Sequence, residues 1–273
     1  MRLSIYESAK LQNMLRFFND SMILITTFNA AYMHMFLNWQ CYVKKLQIPH
    51  FVWLQEAKTS QLITNTNITK TYYSPEISYK YNLYPFDTEF RSKSFNQQSV
   101  FKLITTYFVF FYGTHEYIWF SDVDVVFLKD PRPFFSFKCD YEYATNVNCK
   151  DSPEQRHLDK YTEGNTGFHM FKRQEIVMNL IKTSITISLK QSTFDEQTIF
   201  WKNLLHNYSH LKYCPLSRKT HVSGMCFHEI KNAVVLHANW ISGYRRKQQK
   251  LKKNSLWCYS TSFFLYDFIQ TLY

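Results

Sequence analysis

Two aspartates one residue apart, Asp122 and Asp124, stand between short apolar runs in Tyr117–Pro131, YIWFSDVDVVFLKDP. The flanks Tyr117–Phe120 and Val125–Leu128 are β-branched and aromatic, the composition of short buried strands. Residues i and i+2 of an extended backbone point to the same side, so the two carboxylates converge on one point. Like charges brought that close push one pKa up unless a counter-ion intervenes. A hard divalent cation removes the conflict, because Mg²⁺ and Mn²⁺ take oxygen ligands at close range. The plain alternative is a β-turn with two solvated aspartates. Asp-x-Asp is common by itself, and the buried runs on both sides are what favour a metal here.

A second chemical feature lies late in the chain. Ala233–Leu236 reads as a buried strand that ends on His237-Ala-Asn239, followed by Gly243 and the basic run Tyr244–Lys253, YRRKQQKLKK. That run holds Arg245, Arg246, Lys247, Lys250, Lys252 and Lys253. A histidine at a strand end is commonly a packed core residue, and a basic run is commonly a solvated helical face. If His237 instead completes the coordination of a cation held by Asp122 and Asp124, Lys247 lies where a metal-bound pyrophosphate would be. Imidazole combined with carboxylates suits Mn²⁺ better than Ca²⁺. The net charge of +11 calls for an acidic partner, whether nucleic acid, an anionic membrane or a phosphorylated small molecule.

The elements that must position these groups alternate strand and helix. Met22–Phe28 is a buried strand, Asn29 a turn, Tyr32–Leu46 an amphipathic helix and Phe51–Leu54 a second strand, a β-α-β opening that calls for a parallel sheet. Thr59–Phe95 is polar and aperiodic and reads as a long loop or insertion. Val100, Leu103, Ile104, Tyr107, Phe108 and Phe111 then recur at helical spacing, with Gly113 as the C-cap. The strand Tyr117–Phe120 follows and delivers the aspartates at its carboxyl end, where open α/β sheets bind ligands. Tyr141–Thr145 is a short strand and Lys150–Glu163 a polar loop. In Gly164–Lys172, GNTGFHMFK, two glycines surround Asn165 and Thr166 ahead of an apolar strand; they allow close backbone approach to a ligand or form an ordinary turn. Arg173–Leu189 and Thr193–His206 are helical, the latter opening with Asp195, Glu196 and Gln197, where acidic residues commonly cap the helix or face its dipole.

At 273 residues the chain is long enough for one large domain with a sizeable core. With 25 Phe and 20 Tyr against 5 Gly and 7 Pro, it is not a low-complexity or disordered sequence. Ser21–Val43 carries no charged side chain, yet Thr26, Thr27, Asn29, His34, Asn38 and Gln40 interrupt it, so it reads as part of the fold and not as a membrane span. No signal peptide is visible, and the chain as given is expected to be soluble. Asn19, Asn67 and Asn207 begin N-glycosylation acceptor triplets. Six cysteines (Cys41, Cys139, Cys149, Cys214, Cys226 and Cys258) permit three disulfides in any of fifteen pairings, or stay as buried thiols; none has the spacing of a zinc site. Together these favour a secretory lumen, with an N-terminal targeting segment missing from this chain.

With these residues in view, the chain resembles the nucleotide-diphospho-sugar transferases, the retaining glycosyltransferase family numbered 77. The resemblance covers about Met22 to Leu251 and rests on motifs in the expected order. They are FNAAYMHMFLNWQCYVKKLQI, the helix bearing Lys102, FSDVDVVFLKDP, NTGF at Asn165–Phe168, DEQ at Asp195–Gln197, and HANWISGYRRK at His237–Lys247. It implies a single-domain α/β fold of the GT-A type, a Rossmann-like, mostly parallel sheet flanked by helices. The transferase domain would span 22–257, between an N-terminal helical extension (1–21) and a C-terminal tail (258–273). Asp122 and Asp124 match the Asp-x-Asp pair, with Asp124 the firmer metal ligand and Asp122 touching metal or ribose; His237 matches the late metal-binding histidine. Lys102, Asp122, Gly243 and Lys247 match donor-binding positions, and Asn165, Thr166 and the segment Asp195–Gln197, with Asp195 and Gln197 as the catalytic candidates in it, match positions facing the donor sugar and acceptor. The family often has an Asn a few residues after its Asp-Gln pair, where this chain has Phe200 and Trp201.

The function implied is transfer of a sugar from a nucleotide diphosphate, UDP above all, to a hydroxyl of a glycan or glycoprotein, with retention of configuration and with Mn²⁺ or Mg²⁺ as cofactor. The expected setting is the Golgi lumen, reached through a type II membrane anchor outside this chain, and no nucleic-acid partner is expected. Front-face attack is the expected route, since no carboxylate stands out as a nucleophile. Two rivals make other demands. A metal-dependent nuclease or nucleotidyltransferase would need a third carboxylate at the metal and would bind nucleic acid with a steep salt dependence. A non-catalytic carbohydrate-binding relative would not need Asp122, Asp124 and His237 intact.

Overall fold

A computed structural model of the protein describes residues 2–64, 70–83, 92–146, 163–191 and 194–258. The strands are β1 (Met22–Phe28), β2 (His50–Leu54), β3 (Thr71–Tyr73), β4 (Tyr117–Ser121), β5 (Val125–Phe127), β6 (Tyr141–Thr145), β7 (Gly164–Lys172), β8 (Tyr213–Pro215), β9 (His221–Ser223) and β10 (Val235–His237). The helices are α1 (Ile5–Leu15), α2 (Met33–Lys45), α3 (Ala57–Thr64), α4 (Pro75–Lys80), α5 (Lys93–Tyr112), α6 (Glu175–Lys190), α7 (Glu196–Asn207) and α8 (Tyr244–Lys253). Seven strands form the main sheet in the order β3-β2-β1-β4-β7-β6-β8, and β5-β10-β9 form a smaller one. Strands β3, β2, β1 and β4 run parallel, as the β-α-β opening requires, while β7 runs antiparallel to both β4 and β6.

Alternation along the central strands decides which layer each side chain enters. In β1, Leu24 and Phe28 join the core beneath α2, with Phe36, Trp39 and Val43, whereas Ile23 and Ile25 join the opposite core with Phe101, Ile104 and Phe108 of α5. In β4, Trp119 faces the first core, and Ile118 and Phe120 face the second. With both faces covered, these strands carry near-continuous apolar runs, the mark of a buried parallel sheet. Each fully buried Phe or Ile contributes about 1.5–3 kcal/mol through apolar burial.

The early elements confirm the β-α-β reading, with a 3₁₀ turn at Ala30–Tyr32 entering α2. Thr59–Phe95 departs from the expected loop. It holds most of α3, then β3, α4 and the first turn of α5, while 65–69 and 84–91 lie outside the described residues. Short elements escape periodicity, and here local chemistry makes them. Ser74 caps α4 ahead of Pro75, and Tyr72 of β3 is buried against the Trp53 ring with 4.6 Å between centroids. The helix α5 starts earlier than the apolar pattern, at a Ser92 cap, and ends at Gly113 in an extended conformation, not a left-handed one. Gly164–Lys172 contains no turn; it is strand throughout. The polar loop expected at Lys150–Glu163 lies outside the described residues apart from Glu163.

The first helix is part of the body of the protein: Leu3, Leu11, Leu15 and Phe18 share a core with α5. Disulfides join Cys41 to Cys258 and Cys139 to Cys214; Cys226 is disulfide-bonded too, and no described cysteine is free. The first ties the end of the described chain to α2, and the second clamps the approach to β6 onto β8. Cys149 lies outside the described residues. No described helix is long and apolar enough to cross a membrane.

Candidate active site

The parity that sends Ile118 and Phe120 toward α5 sends Asp122 the same way. Its Oδ2 lies 3.3 Å from Nζ of Lys102 on α5. The chain then turns and enters the smaller sheet, where β5 pairs antiparallel with β10 so that Val125 stands opposite His237. The backbone N–H of Ala238 donates to the Asp124 carbonyl at 3.0 Å, which holds the two strand ends together. His237 Nε2 thereby comes within 3.1 Å of Asp124 Oδ1 and 3.8 Å of Asp122 Oδ2. One ligand atom each from Asp122, Asp124 and His237 fit within 4.8 Å of one another. Sequence spacing placed two of these residues together; the register between β5 and β10 brings the third.

Two lysines flank the cluster. Lys247, in the first turn of α8, places Nζ 2.5 Å from Asp124 Oδ2. Gly243 is the N-cap of that helix, with φ of 79°, a left-handed value that glycine adopts without a Cβ penalty. Lys102 bridges two carboxylates, reaching Asp122 and also Glu196 Oε1 at 3.1 Å. Burial opposes the charge on Asp124, yet Lys247 and then His237 hold its carboxyl well below the usual carboxylate range. Asp122 goes the other way: burial pushes it up, against the pull of Lys102 and with the help of the Asp124 charge. Burial likewise opposes the charges of both lysines, and their carboxylate partners hold both ammonium groups above the ordinary lysine value. Carboxylates and cations thus alternate, with Asp124 among the most buried of them. Two carboxylates and an imidazole in one small space are a donor set that fits Mn²⁺ or Mg²⁺.

The wall of the site is β7. Asp122 N–H donates to the Gly167 carbonyl at 2.7 Å, and a side chain at Gly167 would collide with Asp122 Oδ2, the His237 ring and Asn165 Oδ1. Asn165 Oδ1 accepts from Gly167 N–H at 2.7 Å, and Gln197 Oε1 accepts from Thr166 N–H at 3.2 Å. Asp195 caps α7 by accepting from Thr198 N–H at 2.8 Å. The carboxylate that this segment sends to the cluster is the next residue, Glu196, which also accepts from Thr166 Oγ1 at 2.7 Å. The expectation that singled out Asp195 and Gln197 passed over Glu196; only the cap geometry separates their roles. Asn239 Oδ1 accepts from Gly224 N–H at 2.7 Å and from Ser223 Oγ at 3.1 Å, while its amide donates to Asn146 Oδ1 at 3.1 Å. Asn165 donates to the same Asn146 oxygen at 3.3 Å, so Asn146 links β7 to the segment after His237. Nothing local in the sequence marks Asn146 or Asn239 for this.

A family model for nucleotide-diphospho-sugar transferases matches residues 81–251, more than half of the chain and inclusive of every residue just described. The chain belongs to the nucleotide-diphospho-sugar transferase family. A beta-arabinofuranosyltransferase of Arabidopsis thaliana is 22% identical over 88% of this chain. The chain spans about half, 48%, of that relative's length. Solved structures of glycosyltransferases share the fold. The galactosyltransferase LgtC, in complex with donor and acceptor sugar analogs, has a TM-score of 0.58 at 8% identity, covering 87% of this chain and 95% of that one. A glycosyltransferase involved in glycosylation of the major capsid of PBCV-1 gives 0.51 at 13%, covering 84% and 97%. GlyE of Streptococcus pneumoniae gives 0.52 at 12%, covering 93% and 64%. The GT-A fold expected from the sequence is therefore the fold observed.

In this nucleotide-diphospho-sugar transferase, Gly167 is a position where the site has no room for a side chain. Gly167→Ala should abolish metal-dependent nucleotide binding, because the new methyl competes for the space of Asp122 and His237 and the backbone behind it is held by the bond from Asp122 N–H to the Gly167 carbonyl. Calorimetry with UDP and Mn²⁺ checks this; an affinity equal to wild type would show that the cluster has another arrangement.

Proposed function

We propose that the protein is a divalent-metal-dependent glycosyltransferase that moves a sugar from a nucleotide diphosphate, UDP in the first instance, to a hydroxyl of a glycan or glycoprotein with retention of configuration. The observation that carries the reading is the convergence of Asp122, Asp124 and His237, with Lys247 in contact with Asp124. Asp122, Asp124 and His237 would hold Mn²⁺ or Mg²⁺. A bound divalent ion supplies Lewis-acid stabilisation of charge developing on a diphosphate leaving group.

The chain's own residues do the rest. Lys247 keeps its proton and presents a fixed positive charge where the diphosphate would lie, an electrostatic contribution that needs no reorganisation as the bond breaks. Lys102 bridges Asp122 and Glu196, so its one positive charge offsets part of the repulsion between the two carboxylates and between them and the donor. Asn165, Gln197 and Thr166 brace the β7 wall through their bonds to its backbone and to Glu196. In this reading that wall faces the donor sugar and acceptor. Among the described residues no further carboxylate joins Asp122 and Asp124 in the metal cluster. This favours a transferase over a nuclease. The test is UDP release from UDP-sugars with and without Mn²⁺, against RNA and DNA cleavage under the same conditions. Mn²⁺-dependent nuclease activity without UDP release would overturn the proposal.

We place this activity in the Golgi lumen, on a form anchored by a segment outside this chain. Asn19 and Asn207 are exposed and open to modification; Asn67 lies outside the described residues. Expressed with a secretion signal, the protein should show a glycosidase-sensitive gel shift that disappears when Asn19, Asn67 and Asn207 are all changed to Gln. Reduction should lower its melting temperature, since a disulfide contributes about 2–4 kcal/mol. An unglycosylated product indifferent to reductant would argue against the compartment.

A further inference from the structure

Between His237 and Lys247 the chain exposes Trp240. All six tryptophans are described: Trp39, Trp53, Trp119 and Trp201 are buried, Trp257 is half-buried, and Trp240 is 54% exposed. Its backbone has φ of 63°, in the left-handed region that a bulky aromatic residue seldom adopts. Phe137 shares this unusual conformation, with φ of 57°, but its ring packs against Tyr117 and Phe135. Trp240 has no ring partner among the described residues to hold its strained backbone in place. Strain that the folded core does not use points to a use outside it.

Its position narrows that use. Three residues separate Trp240 from His237, so its Cα lies within about 11 Å of the histidine's, and the next three lead to Gly243 at the head of the helix bearing Lys247. The preceding residue is locked: Asn239 is bonded to Ser223, Gly224 and Asn146. The indole is thus a broad apolar plane held open to solvent on a fixed stem beside the metal cluster. The apolar C–H face of a sugar ring is the partner such a plane fits, with the ring hydroxyls left to water and polar groups at the edge. A flat, rigid side chain loses little conformational freedom in making that contact.

Resting on the transferase reading, we propose that Trp240 is the stacking platform for the acceptor's sugar ring. Phe200 and Trp201 are buried against Tyr141 and Tyr143, so neither ring is open to an acceptor, whereas Trp240 is.

The test uses the Mn²⁺-loaded protein with UDP and a panel of neutral di- and trisaccharides of arabinose, galactose, glucose, mannose and xylose. Trp240→Gly relieves the left-handed strain and should melt no lower than wild type, while Trp240→Phe keeps an aromatic plane. The fraction of emission readily quenched by acrylamide should fall in both variants, leaving that of the half-buried Trp257. In wild type it should be shielded by whichever saccharide accepts sugar. For that saccharide, kcat/KM should fall about tenfold or more in Trp240→Gly and stay within about threefold in Trp240→Phe, the pattern of an aromatic anchor. UDP affinity and UDP-sugar hydrolysis without acceptor should be unchanged in both. Transfer within twofold of wild type in Trp240→Gly would overturn the proposal and leave the transferase reading standing. An equal loss of UDP affinity would assign the ring to the nucleotide, and also overturns it. A wild-type protein without Mn²⁺-dependent UDP affinity would remove the transferase reading, and this proposal with it.

Discussion

Asp124→Ala should eliminate Mn²⁺-dependent binding of UDP and lower the rate of sugar transfer by about 10²–10³ or more, the loss seen when one member of a charge-stabilising site is removed. Asp124 is the residue on which the other groups converge, with Lys247 at 2.5 Å on one oxygen and His237 at 3.1 Å on the other. Its removal takes away a ligand and also leaves the Lys247 ammonium, which is largely buried, without its partner. Breaking a buried pair by deleting one member typically costs about 3–5 kcal/mol. The alanine variant should therefore melt lower as well as lose activity. Asp124→Asn keeps the shape and removes the charge, so it separates the two effects: metal-dependent binding should still vanish with a smaller loss of stability. His237→Ala should also lose Mn²⁺-dependent affinity. Calorimetric titration with UDP, with and without Mn²⁺, alongside thermal melts decides the matter. Unchanged Mn²⁺-dependent affinity in Asp124→Asn and His237→Ala would sink the metal site.

Lys247→Ala should reduce kcat together with kcat/KM by about 10² or more, because a fixed cation matters most when the leaving diphosphate gains charge. Lys252 and Lys253 lie on the same helix but are exposed. Changing both to Ala should leave turnover within about two- to threefold, as solvated charges are screened over about 8–10 Å at physiological salt. Lys247→Arg keeps the charge and alters its shape, and should recover only part of the activity at a site this closely fitted to one carboxylate oxygen. Steady-state kinetics at low and high salt distinguish a specific contact from a diffuse field. Equal losses in Lys247→Ala and the Lys252/Lys253 double variant, erased by salt, would mean the helix works only by general attraction.

The sequence by itself determined the parts of this molecule that rest on local pattern. Apolar runs located β1, β2, β4, β5 and β6. Helical spacing located α5. The pair Asp122 and Asp124 at the end of a buried run, and the order of later motifs ending in His237, Gly243 and Lys247, were enough to identify the family. Where pattern was too short, the sequence was silent. Three residues of β3 and six of α4 carry no measurable period, and they form because Tyr72 finds Trp53 and Ser74 finds a helix to cap. Gly164–Lys172 showed glycines where turns are expected, and only its pairing with β4 and β6 makes it a strand.

What the tertiary structure decided is which charges meet. Asp122 and Asp124 look equivalent in sequence, yet strand parity hands the first to Lys102 on α5 and the turn into the smaller sheet hands the second to Lys247 on α8. Glu196 and Asp195 are neighbours of one chemical type; the N-cap takes Asp195 for the helix and leaves Glu196 for the cluster. Gly167 matters because two side chains from elsewhere in the chain occupy the space its own would fill. Apart from the local Asp195 cap, these outcomes depend on residues tens of positions apart being brought within a few ångströms, and the distance between such residues is set by how strands and helices pack, not by any window of sequence.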